Sequence, residues 1–287
     1  MSFSGKVKEE LAKHISSARH CQLAELAAIL HFCGQYGRDA DGTYTIGFET
    51  ENELLVRKGF TLLKKTFNID TGLGMTEDNF WALSTKIGDL NEAVSPLLVK
   101  NSCCRRAFLR GAFLSVGSIS DPNKGYHLEF VCTIPEQAEQ IKELMGEFDI
   151  IGKIVRRKKY FVVYVKEGSA IVDLLNVLEA HKALMEFENL RILKEMRNSI
   201  NRKVNCEAAN INKTVNAAAK QIEDIIFLRD YYGLENLPEP LRQTAGVRLE
   251  YPDSSLKELG ELMDPPVGKS GVNHRLRKLC ELAEKIR

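Results

Sequence analysis

The 287-residue chain has no excess of either charge: 40 Lys and Arg oppose 39 Asp and Glu, a net of +1 with histidines neutral. That balance excludes a supercharged nucleic-acid coat. A composition of 44 % hydrophobic and 28 % charged residues excludes a disordered tail or a collagen-like chain. No run approaches the ~18 apolar residues of a membrane helix, and the opening stretch Met1 to His14 has no apolar leader core, so no membrane partner is expected. The seven cysteines are odd in number and none stands in a C-x-x-C pair. Cys21, Cys33, Cys103, Cys132 and Cys280 fall in apolar-periodic runs, where free thiols behave as small hydrophobes. These features predict a reducing cytoplasm, and the length predicts roughly two domains.

What the charge lacks in excess it has in pattern. Lys153 to Lys166 holds six cations and no acid, and Lys100 to Arg110 holds four and none. Lys269 to Arg287 holds six cations against Glu281 and Glu284, whereas Glu136 to Asp149 holds five acids and only Lys142. Segregation of this kind predicts faces of opposite sign, and a nucleic-acid ligand is compatible with it.

The chain also repeats itself. Leu26 to Gly34 and Leu109 to Gly117 align without a gap. A turn-rich segment with a short strand follows each, Thr43 to Phe48 in one half and His127 to Val131 in the other. Helical runs come next, Glu51 to Thr66 and Pro135 to Glu147, closed by Phe67 to Asp70 and Phe148 to Ile151. A hairpin then rises to Asn79–Leu83 and Lys159–Val163, and a last helix ends each half. The pattern is αββαββα, given twice. The helix opening each unit is apolar on nearly every face and ends in Gly, which predicts burial. Small residues at Ala28 and Gly111 allow two such helices to cross closely, making a pseudo-twofold saddle whose shape suits a DNA duplex.

The two nine-residue runs resemble the LAGLIDADG motif of homing endonucleases, and the surrounding element order fits that fold. In that family the eighth motif position is an acid on each helix, and the two acids hold the metals that cut DNA. Here those positions are Cys33 and Val116, neither of which replaces a carboxylate on a hard cation. The resemblance therefore implies the scaffold without its two-metal chemistry, and no enzyme activity is expected. The alternative of a nuclease with relocated acids points to Glu49 or Asp121. A zinc site drawn from His14, His20, Cys21, His31 and Cys33 lacks paired ligands at suitable spacing, so no metal or cofactor is expected.

Beyond Arg197 the composition turns Asn-rich, with Arg197, Arg202, Lys203 and Lys213 available to phosphates. Ala217 to Tyr232 reads as a helix stopped at Gly233, and Leu241 to Ala245 as a short one. Ser255 and Glu258 stand in capping-box spacing before Leu256, Leu259 and Leu262. Pro265 and Pro266 end that helix, and Ser270 is placed to cap the next. There Val272, Leu276 and Leu279 share one face, opposite Ser270, Asn273, His274, Arg277 and Lys278. Two helices joined by a short turn, the second basic outside, describe a helix-turn-helix. With Ser254, Ser255, Lys257, Lys269 and Arg275 these residues form the expected DNA-binding set. Arg156, Arg157, Lys158, Lys159, Arg202 and Lys203 are expected to add phosphate contacts.

A degenerate LAGLIDADG repeat followed by a helix-turn-helix resembles the WhiA family over almost the whole chain. The resemblance is carried by the two runs above, by Met196 to Asn205 and Ala208 to Lys213, and by Ser255–Gly260 with Lys269–Lys278. The last of these is also similar to the DNA-reading helices of sigma-factor region 4. The implied architecture is α+β. Residues 1–20 form an N-terminal helical segment, and 21–192 a degenerate LAGLIDADG-like domain with repeats 21–100 and 103–180. Residues 193–216 form a polar linker or connecting helix, and 217–287 a helix-turn-helix domain. The implied function is a cytoplasmic, nucleoid-associated regulator that binds double-stranded DNA and no small-molecule substrate. The resemblance ties it to cell division, chromosome segregation and, in spore formers, sporulation. The alternative is a module that docks RNA polymerase or a co-regulator, with DNA contact incidental.

Overall fold

The structure is a computed structural model that describes residues 1–38, 40–69, 75–90 and 92–287. It divides into two compact units, Met1–Glu195 and Met196–Arg287. No helix among the described residues is long and apolar enough to cross a membrane.

The first unit is built on two 15-residue helices, α2 (Arg19–Cys33) and α5 (Ser102–Val116), which start and stop at equivalent points of the repeat. They follow α1 (Phe3–Lys13), whose first turn is capped by the Ser2 hydroxyl accepting from the Gly5 N–H at 3.1 Å. Phe3, Val7 and Leu11 bury one face of α1. Burial is continuous from Ala24 to His31 in α2 and from Ala107 to Leu114 in α5. At the crossing Gly111 is required: a Cβ there would stand 2.6 Å from the Glu25 carbonyl oxygen and 2.9 Å from Ala28 Cβ. The glycines that end these helices are not left-handed caps. Gly34 and Gly117 both have φ of −81°. A Cβ at Gly34 would lie 2.6 Å from Leu30 O, and one at Gly117 2.6 Å from Phe113 Cα. Each glycine lets a helix pass directly into a strand.

Those strands are β1 (Gly34–Arg38) and β3 (Gly117–Ile119). In the second half β3, β4 (Leu128–Cys132), β5 (Lys153–Arg157) and β6 (Tyr160–Val165) make an antiparallel sheet in the order β3-β4-β6-β5. Helices α6 (Pro135–Gly146) and α7 (Gly168–Leu178) complete this half. Leu128, Phe130, Val163 and Val165 point into the core. Among the described residues the first half pairs β1 with β2 (Tyr44–Phe48), and a bridge joins Tyr44 to Met75. Helix α3 (Glu53–Phe67) follows β2, and its end at Asn68 (φ 56°) matches Asp149 (φ 60°) after α6. Asp70, in the expected closing run Phe67–Asp70, lies outside the described residues.

The first half departs from expectation at its second hairpin, and among the described residues no separate helix follows there before α5. Asn79–Leu83, expected as a strand, lies within helix α4 (Glu77–Ile87). The Thr76 hydroxyl accepts from the Asn79 N–H, and Glu77 and Asp78 favour the first turn. Leu83 and Ile87 are buried, while Phe80 stacks on Tyr44 with ring centroids 4.1 Å apart. These positions fit a helical period, and Trp81, off that face, is 57 % exposed.

The seam also encloses ions. Glu25 is fully buried; its Oε1 lies 2.5 Å from Lys58 Nζ and accepts from Arg110 Nε at 3.0 Å. Arg110 also donates to Glu179 at 2.5 Å, and Lys58 to the Leu11 carbonyl at 2.7 Å.

The second unit holds the rest of α8 (His181–Tyr231), α9 (Glu239–Glu250), α10 (Leu256–Glu261) and α11 (Lys269–Ile286). The Asn-rich stretch 193–216 is helical throughout, within α8. Helix α8 stops at Gly233, which has φ of 83° and donates to the Leu228 carbonyl. Helix α9 is longer than the expected Leu241–Ala245 because Pro238 and Pro240 sit at its start, where no N–H is needed. Ile225, Leu228, Ala245, Leu259, Met263, Val272, Leu276, Leu279 and Ala283 form the core.

Candidate nucleic-acid interface

The α10–turn–α11 pair owes its geometry to its first cap and two glycines. The Ser255 hydroxyl accepts from the Glu258 N–H at 3.3 Å, and the Glu258 carboxylate accepts from the Ser255 N–H at 2.7 Å. This is the reciprocal cap expected from the spacing. The turn then returns so that the Val267 N–H donates to the Gly260 carbonyl at 2.9 Å. A side chain at residue 260 would collide with the Val267 carbonyl, and one at Gly271 would meet Val267 Cγ1 at 2.6 Å. The cap of α11 is Gly268, not the expected Ser270, which lies inside the first turn with its side chain outward. Gly268 adopts extended backbone there, and the helix starts two residues earlier than a Ser270 cap would require.

Helix α11 separates its faces cleanly. Val272, Leu276, Leu279 and Ala283 are buried. Lys269, Ser270, Asn273, His274, Arg277 and Lys278 are exposed. At 100° per residue, Ser270, Asn273, His274 and Arg277 fall on one outward stripe. Arg277 is 3.7 Å from Glu281, one turn on, and both remain solvent-exposed. Arg275 differs from its neighbours: it is half-buried, with Nη1 3.8 Å from Met263 Sδ in the turn. Lys257 and Ser255 are exposed on α10, and Ser254 is half-buried. The sequence reading missed Arg248, which is buried and donates to the Ser254 carbonyl at 2.7 Å, tying α9 to the start of α10. Its place on the inner face of α9 was the available signal.

In the first unit, the β5–β6 hairpin turns through Lys158, at φ of 54°. Arg156, Arg157, Lys158 and Lys159 are all exposed. Arg157 is partnered, its Nη1 donating to Glu129 Oε2 at 2.8 Å. Glu129 also meets His127 Nε2 at 2.8 Å. Burial pushes the Glu129 carboxyl upward, but His127 and Arg157 together hold it below the usual carboxylate range. Arg156 lies over the Phe161 ring and Lys159 over Tyr160. The sequence reading passed over Glu129, an acid between the core residues Leu128 and Phe130. On α8, Arg202 and Lys203 are exposed.

The motif positions carry no metal clamp. Cys33 donates to the Ile29 carbonyl at 3.1 Å, and Val116 packs on the core. Burial pushes the Cys33 thiol up to about 11, against the pull of Ser115 and Lys8. Lys8 is close enough to sense the Cys33 charge, so an ammonium group already stands near that helix end. Glu49 is exposed and accepts from Gln35 at 2.8 Å. Asp121 accepts from the Asn123 N–H at 2.9 Å in a local turn.

Comparison with known proteins gives matches along the chain. Three family models match: the WhiA N-terminal LAGLIDADG-like domain at residues 19–79, the WhiA LAGLIDADG-like domain at 105–197, and the WhiA C-terminal HTH domain at 200–283. A "Probable cell division protein WhiA" from Lachnoclostridium phytofermentans is 54 % identical, with all of both chains covered. Its namesake from Desulforamulus reducens is 46 % identical, covering all of this chain and 97 % of its own. The crystal structure of full-length DUF199/WhiA from Thermatoga maritima is similar with a TM-score of 0.59 at 26 % identity, covering 99 % of each chain.

Proposed function

This chain belongs to the WhiA family, and from that membership we propose that it is a sequence-specific regulator that binds double-stranded DNA and serves cell division. Control of transcription, a part in chromosome segregation, a part in sporulation where the host forms spores, and association with the nucleoid belong to the same reading. The observation that carries it is the outward stripe of α11, whose opposite face is fully committed to the core. In the major groove Arg277 suits guanine and Asn273 adenine. Lys269, Ser270, His274 and Lys278, with Ser254, Ser255 and Lys257 beside α10, suit phosphates and base edges near the helix start. Arg275 holds the turn through Met263. We assign no cleavage to the LAGLIDADG-like repeat, which serves as a scaffold over residues 21–192.

Purified protein incubated with plasmid and Mg²⁺ or Mn²⁺ is expected to bind the DNA and leave it uncut. Cys33→Asp with Val116→Asp is expected to leave it uncut too, and to lose on the order of 1–3 kcal/mol of stability by burying charge. Lys8 would neutralise a new carboxylate at residue 33 rather than leave it for a metal. Nicking that survives removal of contaminating nucleases contradicts this reading.

The hairpin is assigned sequence-independent contacts. Lys158→Ala with Lys159→Ala is expected to weaken all duplexes alike and to lower the slope of log K against log salt by about two. Arg157→Ala is expected to change that slope less, because Glu129 already neutralises Arg157. A salt titration on a preferred and a scrambled duplex checks both, and a change in preference would remove the hairpin from this role.

A further inference from the structure

At the opposite ends of the two central helices from Cys33 and Val116, four soft ligands converge. They are His20 and Cys21 in the first turn of α2, and Cys103 and Cys104 in the first turn of α5. Their ligand atoms all lie within 4.8 Å of one another. His20 Nδ1 is 3.1 Å from Cys104 Sγ, 3.3 Å from Cys21 Sγ and 4.0 Å from Cys103 Sγ. In a tetrahedral zinc site with Zn–S of about 2.3 Å and Zn–N of about 2.0 Å, nitrogen-to-sulfur edges are about 3.5 Å and sulfur-to-sulfur edges about 3.8 Å. The three nitrogen-to-sulfur spacings bracket the first of these edges, and every sulfur-to-sulfur spacing is within 4.8 Å.

We propose that His20, Cys21, Cys103 and Cys104 form a Cys₃His zinc site that staples the starts of the two central helices.

Further features favour it. The two dipeptides occupy the same two positions of helices related by the repeat, so each half contributes a pair of ligands to one point. Neither helix has an acid in its first turn, so the donor set is thiolate and imidazole, which selects zinc over magnesium or calcium. Both pairs sit at helix N-termini, where the backbone dipole favours thiolate against the burial that pushes the Cys21 and Cys104 thiols up. The small side chains Ala18, Ala24 and Ala107 pack about Cys21 and Cys104. Arg19 is drawn away to the Thr66 carbonyl at 2.6 Å, leaving the cluster without a competing cation from that residue. Cys21 and Cys104 are buried while His20 and Cys103 face solvent, which provides an entry path.

Four protein ligands close the coordination shell, so the site is structural and carries no open position for a substrate. It lies about 20 Å along the helices from the lost endonuclease positions, at 1.5 Å per residue. Binding replaces three thiol protons with one Zn²⁺ and releases three protons, with no oxidant or reductant needed. The set His14, His20, Cys21, His31 and Cys33, set aside on its spacing in the sequence, does not come together. His14 pairs with Glu179, and both ring nitrogens of His31 face backbone carbonyls. The second pair of ligands comes from the other repeat, 83 residues away.

The test is metal analysis of the full chain, purified without a histidine tag under reducing conditions. One zinc per chain is expected, and replacement by Co²⁺ should give the intense visible bands and thiolate charge transfer of a tetrahedral cobalt site. Cys104→Ser should abolish both. Because that position is buried and the variant could misfold, the exposed variants Cys103→Ser and His20→Asn provide the second measurement. Each should lose zinc while keeping the wild-type circular dichroism, and a strong chelator should lower the Tm of the wild type but not of Cys103→Ser. Cys206→Ser, at an exposed cysteine on α8, should keep its zinc. A metal-free wild type with an octahedral cobalt spectrum overturns the proposal. So does zinc retained by Cys103→Ser and His20→Asn, or a disulfide among Cys21, Cys103 and Cys104 in protein never exposed to oxidant.

Discussion

Glu25→Ala is expected to destabilise the first unit by about 3–5 kcal/mol, the cost of leaving buried charges without their partner. Glu25 is fully buried, and Lys58 and Arg110 are each only 2 % exposed. Removing the carboxylate strands the Lys58 ammonium 2.5 Å from where it stood and strips two hydrogen bonds from Arg110. Glu179 still holds one edge of Arg110, so the lysine bears most of the loss. The pH dependence follows. Burial already pushes the Lys58 pKa down, with Glu25 the main group raising it. Without Glu25 the folded-state pKa falls further below the unfolded value. The unfolded chain then binds more protons in the window between the two, so stability rises with pH there. The deficit of the variant against the wild type should therefore narrow as the solution is made more alkaline. Replacing the three residues together, as Glu25→Leu, Lys58→Met and Arg110→Met, should recover much of the loss, because an apolar cluster of similar volume carries no desolvation cost. Urea unfolding at several pH values checks both expectations. A single variant within 1 kcal/mol of the wild type would show that the cluster is open to water.

Arg277→Ala is expected to cost about 1–3 kcal/mol at a preferred DNA site and to relax discrimination at one base pair. Arg277 is exposed on the stripe of α11, and its ion-pair partner Glu281 lies at 3.7 Å on a side chain that is also solvated. An exposed pair of this kind is worth little, so the guanidinium can leave it for a guanine edge at small cost. The fold should be untouched, since the core face of α11 is Val272, Leu276, Leu279 and Ala283. Competition binding with single-base variants of the site measures the effect. Equal weakening on all sequences would reassign Arg277 to a phosphate.

Much of this was legible in the sequence, for physical reasons that differ by element. The central helices could be read because a helix buried on all sides leaves a long apolar run, and duplication printed it twice. The Ser255–Glu258 cap could be read because its partners are three residues apart. Helix α4 could not: Asn79 is followed by the unbroken apolar run Phe80–Leu83, and so short a run does not separate a strand from a helix. Its cap at Thr76 was the discriminating signal. Glu25 lay in plain view inside an apolar run, but its partners Lys58 and Arg110 are remote in sequence, and only folding brings them to it. The same holds for His20–Cys21 and Cys103–Cys104. Spacing arguments within one segment miss ligands shared between two repeats. Gly268 was passed over because Ser270 is the better cap on composition alone, and the return of the turn onto Gly260 decided the matter.

The most direct test of the central claim is the affinity of the unaltered full chain for a preferred and a scrambled duplex, each titrated with salt. Sequence-specific DNA binding predicts that log K falls steeply with log salt on both duplexes, by close to one unit of slope per neutralised phosphate, while the preferred duplex stays tighter by a factor of about 10³ or more. Equal affinity for the two duplexes, or a slope near zero, would contradict it and leave the outward face of α11 to a protein partner.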